Sequence, residues 1–185
     1  MANPDNPTRT SRAWQCPNLI GGNWVAGQGA SHALLDKYTG DLITHVAEAS
    51  TDQLAAAVDA AHAAFSQQRL SGHERGLILD RAADGLAGRQ EELVQAVQQE
   101  AGFTRSDALG EIARTIVTLR LSAEEARKLT GDMIPMDGAA GQSARLGFTI
   151  RVPLGVVLAI TPFNAPLNTV AHKLGPALAA GNAVV

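Results

Sequence analysis

The C-terminal part of the chain, residues 154–185, carries the pattern that most constrains the fold. Residues 156–160 form an unbroken apolar run rich in β-branched side chains, which is typical of a strand buried on both faces of a parallel sheet. Apolar residues then recur at helical spacing over 167–178, and residues 183–185 return to strand composition. This order predicts a right-handed βαβ unit, whose first loop lies at the carboxyl end of the sheet, where open α/β sheets bind ligands.

The loop between the predicted strand and helix contains two prolines that make it stiff. Pro162 fixes its own φ angle and biases Thr161 towards an extended conformation, and Pro166 suits the first turn of a helix because its missing N–H costs nothing there. Between them, Asn164 holds a carboxamide near a helix N-terminus, where it can donate to an oxygen and where the helix dipole favours negative charge. On the residues alone two interpretations stay open: Asn164 caps the helix, which composition by itself favours, or it donates to an oxyanion.

Upstream of this unit the sequence predicts short strands and then helices. Residues 19–46 contain short apolar runs, glycines and a turn at 38–41, as in a small antiparallel unit. Ser50 and Ser71 are each followed three residues later by Gln or Glu, a capping-box pattern that starts two helices, the first over about residues 51–67. An N-terminal region of strands followed by helices is therefore expected.

Two more helices precede the βαβ unit. A short amphipathic helix ends at Gly102, and a longer helix of about seven turns closes at Gly131. The apolar stripe of the long helix consists of Ala108, Ile112, Ile116, Leu119, Ala123 and Ala126. Four glutamates in this region are interpreted as solvated helix faces rather than catalytic carboxylates: Glu100, Glu111, Glu124 and Glu125. In the helix of the βαβ unit, Pro176 is expected to bend or interrupt the helix.

Between the long helix and the βαβ unit, apolar and polar residues alternate. The apolar positions are Leu146, Phe148, Ile150 and Val152. This alternation predicts a strand with one solvated face. The strand is either an exposed edge that pairs with a neighbouring subunit or an ordinary solvent-facing hairpin.

Composition and charge exclude several classes of function. With 45% hydrophobic residues over 185 positions, the chain has the composition of a soluble globular protein. The net charge is −3, and the 15 basic and 18 acidic residues are spread along the chain, so no basic stripe predicts a nucleic-acid partner. The longest apolar stretches are too short for a membrane span, and the polar N-terminus has no secretory signal.

Cysteine and histidine usage adds two expectations. The single cysteine, Cys16, favours a reducing compartment, so we expect a cytoplasmic protein. Cys16 precedes a proline in a polar segment and matches no catalytic motif, so it is interpreted as an ordinary thiol. The five histidines lack the i, i+4 spacing of metal ligands, and no metal site is predicted.

The stretch RVPLGVVLAITPFNAPLNTVAHKLGPALAAGNAVV resembles the cofactor-loop region of the aldehyde dehydrogenase superfamily. Members of that superfamily carry a Pro-Leu-Gly-Val strand, a Thr-Pro-Phe/Trp-Asn loop and a Pro-Ala-Leu-Ala-Ala-Gly-Asn helix end. The upstream stretches LIGGNWV, QEAGFTRSDALGEIARTIVTLRLSAEEARKLTGDMIP and FTIRVPLG are also similar to the family in order and spacing. The resemblance therefore covers nearly the whole chain.

The resemblance implies an NAD(P)-dependent oxidation of an aldehyde to an acid. In the family a cysteine thiolate attacks the aldehyde, an asparagine amide and a backbone N–H hold the oxyanion, hydride passes to the nicotinamide, and a glutamate activates water to hydrolyse the thioester. By motif position Asn164 would be the catalytic oxyanion donor. The residues that would line the NAD or NADP cofactor are Ile160, Thr161, Pro162 and Phe163. The family's nucleophile, general base and ribose-binding lysine would all lie beyond Val185.

The expected fold class is α/β, a Rossmann-like parallel-sheet cofactor-binding domain with N-terminal strands and helices and an oligomerisation-type β-strand, apparently truncated. We expect a flexible segment over 1–17 and the N-terminal strands and helices of the cofactor-binding domain over 18–140. An edge strand or oligomerisation hairpin is expected over 141–153, and an incomplete βαβ unit with the cofactor loop over 154–185.

The function expected from the resemblance is that of the N-terminal portion of an aldehyde dehydrogenase. It would act on a small-molecule aldehyde with NAD or NADP, as a homodimer or homotetramer. The alternative is a truncated, non-catalytic scaffold, or a nucleotide-binding or association module. A strand that stops at Val185 without a turn or a cap favours a chain cut from a longer protein.

Overall fold

The computed structural model describes residues 14–67 and 69–185, which contain five α-helices and nine short strands. The helices are α1 (Thr51–Gln67), α2 (Gly72–Gly88), α3 (Gln90–Ala101), α4 (Arg105–Lys128) and α5 (Asn168–Ala179). The strands are β1 (Trp14–Gln15), β2 (Asn18–Ile20), β3 (Asn23–Val25), β4 (Ser31–Leu35), β5 (Leu42–Ala47), β6 (Met133–Ile134), β7 (Gly147–Phe148), β8 (Val156–Val157) and β9 (Ala183–Val184). Within the described residues, no helix is long and apolar enough to cross a membrane.

The predicted capping boxes are confirmed at the starts of α1 and α2. The Ser71 hydroxyl accepts the Glu74 backbone N–H at 3.2 Å, while the Glu74 carboxylate accepts the Ser71 N–H at 2.7 Å. Ser50 and Gln53 make the same reciprocal pair, at 3.3 and 3.0 Å. Both pairs use N–H groups that have no partner inside the helix, which is why these two helices begin where the sequence predicts.

Helix α4 is the centre of the packing. Its predicted apolar stripe is buried except for Ile116, which is partly buried. One face of α4 packs with α2 and α5 in a core cluster made of Leu79, Ala83, Leu119, Ala123, Ala126, Ala171 and Ala179. Its first turns pack with α3 around Val94, Val97, Ala108 and Ile112. Because α5 lies against α4, α4 sets the position of the helix that follows the predicted functional loop.

Helix α4 ends at Lys128, earlier than the predicted end at Gly131. Gly131 instead lies where the chain begins to pair with the segment after β7, and a Cβ built on it would lie 1.8 Å from the Thr149 carbonyl oxygen. Asp132 and Thr149 exchange hydrogen bonds at this point, from the Asp132 N–H to the Thr149 hydroxyl and from the Thr149 N–H to the Asp132 carbonyl. The glycine therefore serves a close backbone approach rather than a helix end.

The N-terminal strands form the predicted antiparallel unit as two separate sheets. β2 pairs with β3, and β4 pairs with β5. The predicted turn at 38–41 connects β4 to β5, with Gly40 at a φ of 75°. β1 adds a parallel neighbour to β5 and lies within the segment over 1–17 that is expected to be flexible. Residues 1–13 of that segment lie outside the described residues.

The predicted strand over 145–152 is shorter in the structure. Only Gly147–Phe148 pairs, antiparallel with Met133–Ile134. In the described part of this single chain, the apolar side chains are exposed as well as the polar ones. Their exposed fractions lie between 62 and 75%: Leu146, Phe148, Ile150 and Val152.

The predicted βαβ unit is present, with β8 parallel to β9 and α5 between them. Two expectations about it are corrected. Leu158 and Ile160 are 69% and 76% exposed, so residues 156–160 are not buried on both faces within the described part of the chain. α5 continues through Pro176 to Ala179, so the proline does not interrupt the helix, and its last turns pack on α4. Packing against a neighbouring helix therefore outweighs the hydrogen bond that this proline lacks.

Candidate functional site

The loop predicted to carry function leaves the sheet immediately after β8. The Ala159 N–H donates to the Val185 carbonyl at 2.8 Å, which is the last hydrogen bond between the two strand segments. From Ile160 to Asn164 the chain is exposed. This segment lies at the carboxyl end of a parallel strand, where the sequence predicts a ligand.

Asn164 is not the N-cap of α5. The N-cap position is Leu167, and α5 begins at Asn168. Among the described residues, no hydrogen-bond partner engages the Asn164 carboxamide, which is exposed. The capping interpretation is therefore wrong, and the amide N–H groups of Asn164 are available to another molecule.

The start of α5 is capped instead by Glu111, from the first half of α4. Its Oε1 accepts the Leu167 backbone N–H at 2.7 Å and the Asn168 backbone N–H at 3.1 Å. Glu111 is 0% exposed, so its interpretation as part of a solvated helix face is corrected. The carboxylate lies at the positive end of the α5 dipole, where its Oε1 accepts both N–H bonds, while its buried Oε2 has no hydrogen-bond partner among the described residues.

The sequence contains a signal for the burial of Glu111 in the apolar stripe of α4. Glu111 lies three residues after Ala108 and one before Ile112, so it belongs to the apolar stripe of α4. A carboxylate on the buried face of a helix needs a partner, since an unpaired buried charge is costly. The other three glutamates differ from it: Glu124 and Glu125 are exposed as predicted, and Glu100 is half-buried.

Thr169, in the first turn of α5, holds the loop from the other side. Its hydroxyl lies 2.8 Å from the Ala165 carbonyl oxygen and 3.2 Å from the Pro162 carbonyl oxygen. The Thr169 backbone N–H also donates to the Ala165 carbonyl. Residues 162–165 are thus tied to the start of the helix by side-chain and backbone bonds as well as stiffened by two prolines.

A third contact fixes α5 itself on α4. The Thr118 hydroxyl lies 3.2 Å from the Asn168 Oδ1 and 2.9 Å from the Arg114 carbonyl oxygen of its own helix. Glu111 and Thr118 lie about two turns apart on α4, so two separate contacts hold the beginning of α5 against α4. The end of the loop that joins α5 is therefore fixed in position.

The other predicted site residues are exposed along the loop. Ile160 and Phe163 are 76% and 59% exposed, and Pro162 is also exposed. Thr161 borders a mostly apolar cleft of about 1290 Å³ between α1, α5 and the edge of β9. None of the residues from Ile160 to Asn164 is charged. The segment can therefore offer apolar surface and one amide donor, but no charge for a phosphate.

Cys16 has the properties of an unreactive thiol. Burial raises the pKa of Cys16 above its ordinary value, and the charge of Glu100 raises the pKa further. A raised pKa leaves less thiolate at neutral pH, and the thiolate is the nucleophilic form. Over residues 14–67 and 69–185 no group of three His, Cys, Asp or Glu side chains is placed to hold a metal ion.

Comparison with known proteins gives consistent matches. The model of the aldehyde dehydrogenase family matches residues 24–185. The chain is 42% identical over 166 residues to the 3-sulfolactaldehyde dehydrogenase of Priestia aryabhattai, covering 90% of this chain and 34% of that protein.

Solved structures agree with this match. An NAD-dependent benzaldehyde dehydrogenase from Corynebacterium glutamicum superposes with a TM-score of 0.83 at 32% identity, covering 95% of this chain and 38% of its own. The NADP-dependent glyceraldehyde-3-phosphate dehydrogenase from Bacillus halodurans C-125, complexed with NADP, superposes with a TM-score of 0.84 at 32% identity, covering 92% and 37%. The chain thus spans about a third of the length of the relatives it matches.

Proposed function

The chain belongs to the aldehyde dehydrogenase family, and on that premise we propose that it supplies the N-terminal part of an NAD(P)-dependent enzyme that oxidises an aldehyde to a carboxylic acid. The observation that carries the proposal is the exposed, unpaired Asn164 carboxamide on a loop that is tied on both sides. The cysteine nucleophile and the glutamate base would come from residues outside this chain. Because the relatives' names span several aldehydes, the proposed substrate class is an aldehyde in general.

Asn164 would stabilise the oxyanion that forms when a nucleophile adds to the aldehyde carbonyl. Its Nδ2–H groups are donors that no acceptor among the described residues engages. A donor that is already in place pays little to reorganise as the negative charge develops, and the loss of one such donor costs about 100- to 1000-fold in kcat. The two prolines and the ties to α5 keep this donor in place.

The same loop would line the cofactor through apolar contact. Ile160, Pro162 and Phe163 present exposed apolar surface next to Asn164, which fits a flat ring. The N–H groups at the start of α5 are already bonded to Glu111, so that helix N-terminus does not fit the cofactor phosphates. NAD or NADP, when bound, accepts the hydride. The part of this chain is to shape the apolar side of its site and to present the amide donor.

We further propose that the protein forms a homodimer or homotetramer and acts in the cytoplasm. The four exposed apolar side chains along residues 146–152 support the first statement, because an exposed apolar patch is suited to contact with another subunit. The single cysteine in 185 residues supports the second.

The proposal is tested by Asn164→Ala in the full-length protein that carries this chain, with aldehyde-dependent NAD(P)H formation as the readout. We expect kcat to fall by about 100- to 1000-fold with little change in thermal stability, because the side chain is exposed and unpaired. Asn23→Ala removes another exposed asparagine, in β3, and is expected to leave kcat unchanged.

Equal kcat for Asn164→Ala and the wild type would contradict the role of Asn164. If the wild-type full-length protein formed no NAD(P)H from any aldehyde, the alternative of a non-catalytic scaffold or association module would replace the proposal.

A further inference from the structure

We propose that Glu111 is a positioning residue for the loop that presents Asn164, through the two backbone N–H groups that its carboxylate accepts at the start of α5. This inference rests on the proposed role of Asn164 as oxyanion donor. It assigns a function to a buried carboxylate that otherwise has none in the chemistry described above.

The geometry gives Glu111 direct control of the junction between loop and helix. Its Oε1 bonds the N–H of the N-cap residue, Leu167, at 2.7 Å and the N–H of the first helical residue at 3.1 Å. No side chain of the loop caps these groups, since Leu167 has no polar side chain. Only Ala165 and Pro166 lie between Asn164 and Leu167, and the proline is stiff, so a shift at the junction is passed on to the amide donor.

Glu111 is itself anchored in the core. Ala108 and Ile112, its neighbours on the buried face of α4, are 0% and 1% exposed. Its carboxylate therefore has little freedom, and it ties the loop to the buried face of α4. A donor that must meet a reacting oxygen to within a fraction of an ångström needs this kind of support, because a misplacement of about 1 Å can cost about 100-fold in rate.

Glu111 is not required simply to join the two helices. Thr118 bonds Asn168, and further along the pair Gly175 of α5 packs closely on Ser122 of α4. Ala171 and Ala179 of α5 are buried in the same cluster as α4 residues. Among the described residues, the Glu111 side chain makes its hydrogen bonds at the end of α5 that the loop enters, so the loss of that side chain is expected to act on the loop.

The test measures steady-state kinetics of the full-length protein with saturating NAD(P) and aldehyde. Glu111→Ala leaves two N–H groups without their acceptor, and we expect kcat to fall by about 10- to 100-fold. Glu111→Gln keeps an oxygen in reach of both N–H groups and is expected to stay within about threefold of the wild type. Thr115→Val, one turn further along α4, is the control. It removes a buried hydroxyl that donates to the backbone carbonyl of Glu111 and leaves the Glu111 carboxylate in place, so kcat is expected to stay unchanged.

The double variant Glu111→Ala/Asn164→Ala separates positioning from a general structural effect. If Glu111 acts through Asn164, the double variant has the same kcat as Asn164→Ala alone, because a misplaced donor and an absent donor give the same loss. If Glu111→Ala only lowers the folded fraction, its factor multiplies that of Asn164→Ala, and the proposal is overturned.

Two outcomes distinguish this inference from the proposed function. If kcat falls in Asn164→Ala but not in Glu111→Ala, only the positioning role is overturned. If kcat is unchanged in Asn164→Ala, the proposed function itself is overturned. If Glu111→Ala does not fold, amide hydrogen exchange in the wild-type protein provides a second test. The Leu167 and Asn168 amides are expected to exchange at least 100-fold more slowly than exposed loop amides, and equal rates would overturn the inference.

Discussion

Gly175 of α5 lies so close to Ser122 of α4 that a Cβ built on the glycine would be 2.5 Å from the serine Oγ and 3.2 Å from its Cβ. This close approach brings α5 onto the central helix and, with the contacts of Glu111 and Thr118, fixes the helix that follows the candidate loop. Small residues at a helix crossing permit such an approach because no side chain keeps the two backbones apart.

Gly175→Ala is expected to destabilise the protein by about 1–3 kcal/mol, since the added methyl group has no space beside Ser122. Combining it with Ser122→Ala removes the nearest atom and is expected to recover part of the loss. The free energy of unfolding in urea is the measurement. Gly85→Ala in α2 is the matched control, because no atom lies within 4 Å of its built Cβ, and helix propensity then favours alanine by about 1 kcal/mol. Similar effects of the two glycine substitutions would contradict the close contact.

Asn182 ties the start of β8 to the end of α5. Its Oδ1 accepts the Leu154 and Gly155 N–H groups at 2.6 and 3.0 Å, and its Nδ2 donates to the Ala177 carbonyl at 3.1 Å. Asn182→Ala is expected to cost about 1–3 kcal/mol by leaving buried backbone groups unsatisfied. Asn182→Asp keeps the acceptor and is expected to lose less. Thermal unfolding measures both, and equal losses would mean that the two N–H bonds contribute little.

The capping box of α2 predicts a pH-dependent contribution to stability. The Ser71 backbone N–H, and then its hydroxyl, lower the pKa of Glu74 from 4.5. Because the folded pKa lies below the unfolded one, the stabilisation is complete above about pH 4.5 and is lost as the pH falls through the folded value. We therefore expect the difference in unfolding free energy between wild type and Glu74→Ala to shrink at acidic pH.

The capping box of α1 supplies the control for this measurement. Gln53 makes the same bonds to Ser50 but does not titrate. The penalty of Gln53→Ala is expected to stay constant over the same pH range. A penalty for Glu74→Ala that is equally constant would show that its carboxylate charge does not contribute.

The proposed self-association predicts that a charge in the exposed apolar row weakens it. Phe148→Glu places a carboxylate beside Leu146 and Ile150 and is expected to shift the full-length protein towards monomer, because burying that charge on association is costly. Light scattering coupled to size exclusion measures the mass. Leu121→Glu, at another exposed apolar position, on α4, is expected to keep the wild-type mass. An unchanged mass for Phe148→Glu would remove this row from the interface.

Local signals were sufficient for much of the fold. The capping boxes at Ser50 and Ser71, the helix end at Gly102 and the order of strand, helix and strand after residue 154 all agree with the structure. Each depends on groups within a few residues of one another, so a single sequence contains the information. The predicted end of α4 at Gly131 is wrong because this glycine allows a close backbone approach to Thr149, a residue distant in sequence.

The candidate site divides in the same way. The sequence by itself determined the stiffness of the loop from its two prolines, the position of Asn164 within it and the family that its motifs resemble. Only the tertiary structure decided that Glu111, and not Asn164, caps α5, and that Leu158 and Ile160 are exposed in the described part of the chain. The physical reason is the range of the interactions: a proline restricts its own backbone, whereas a buried carboxylate finds its partners only when α4 and α5, more than fifty residues apart at that contact, pack together.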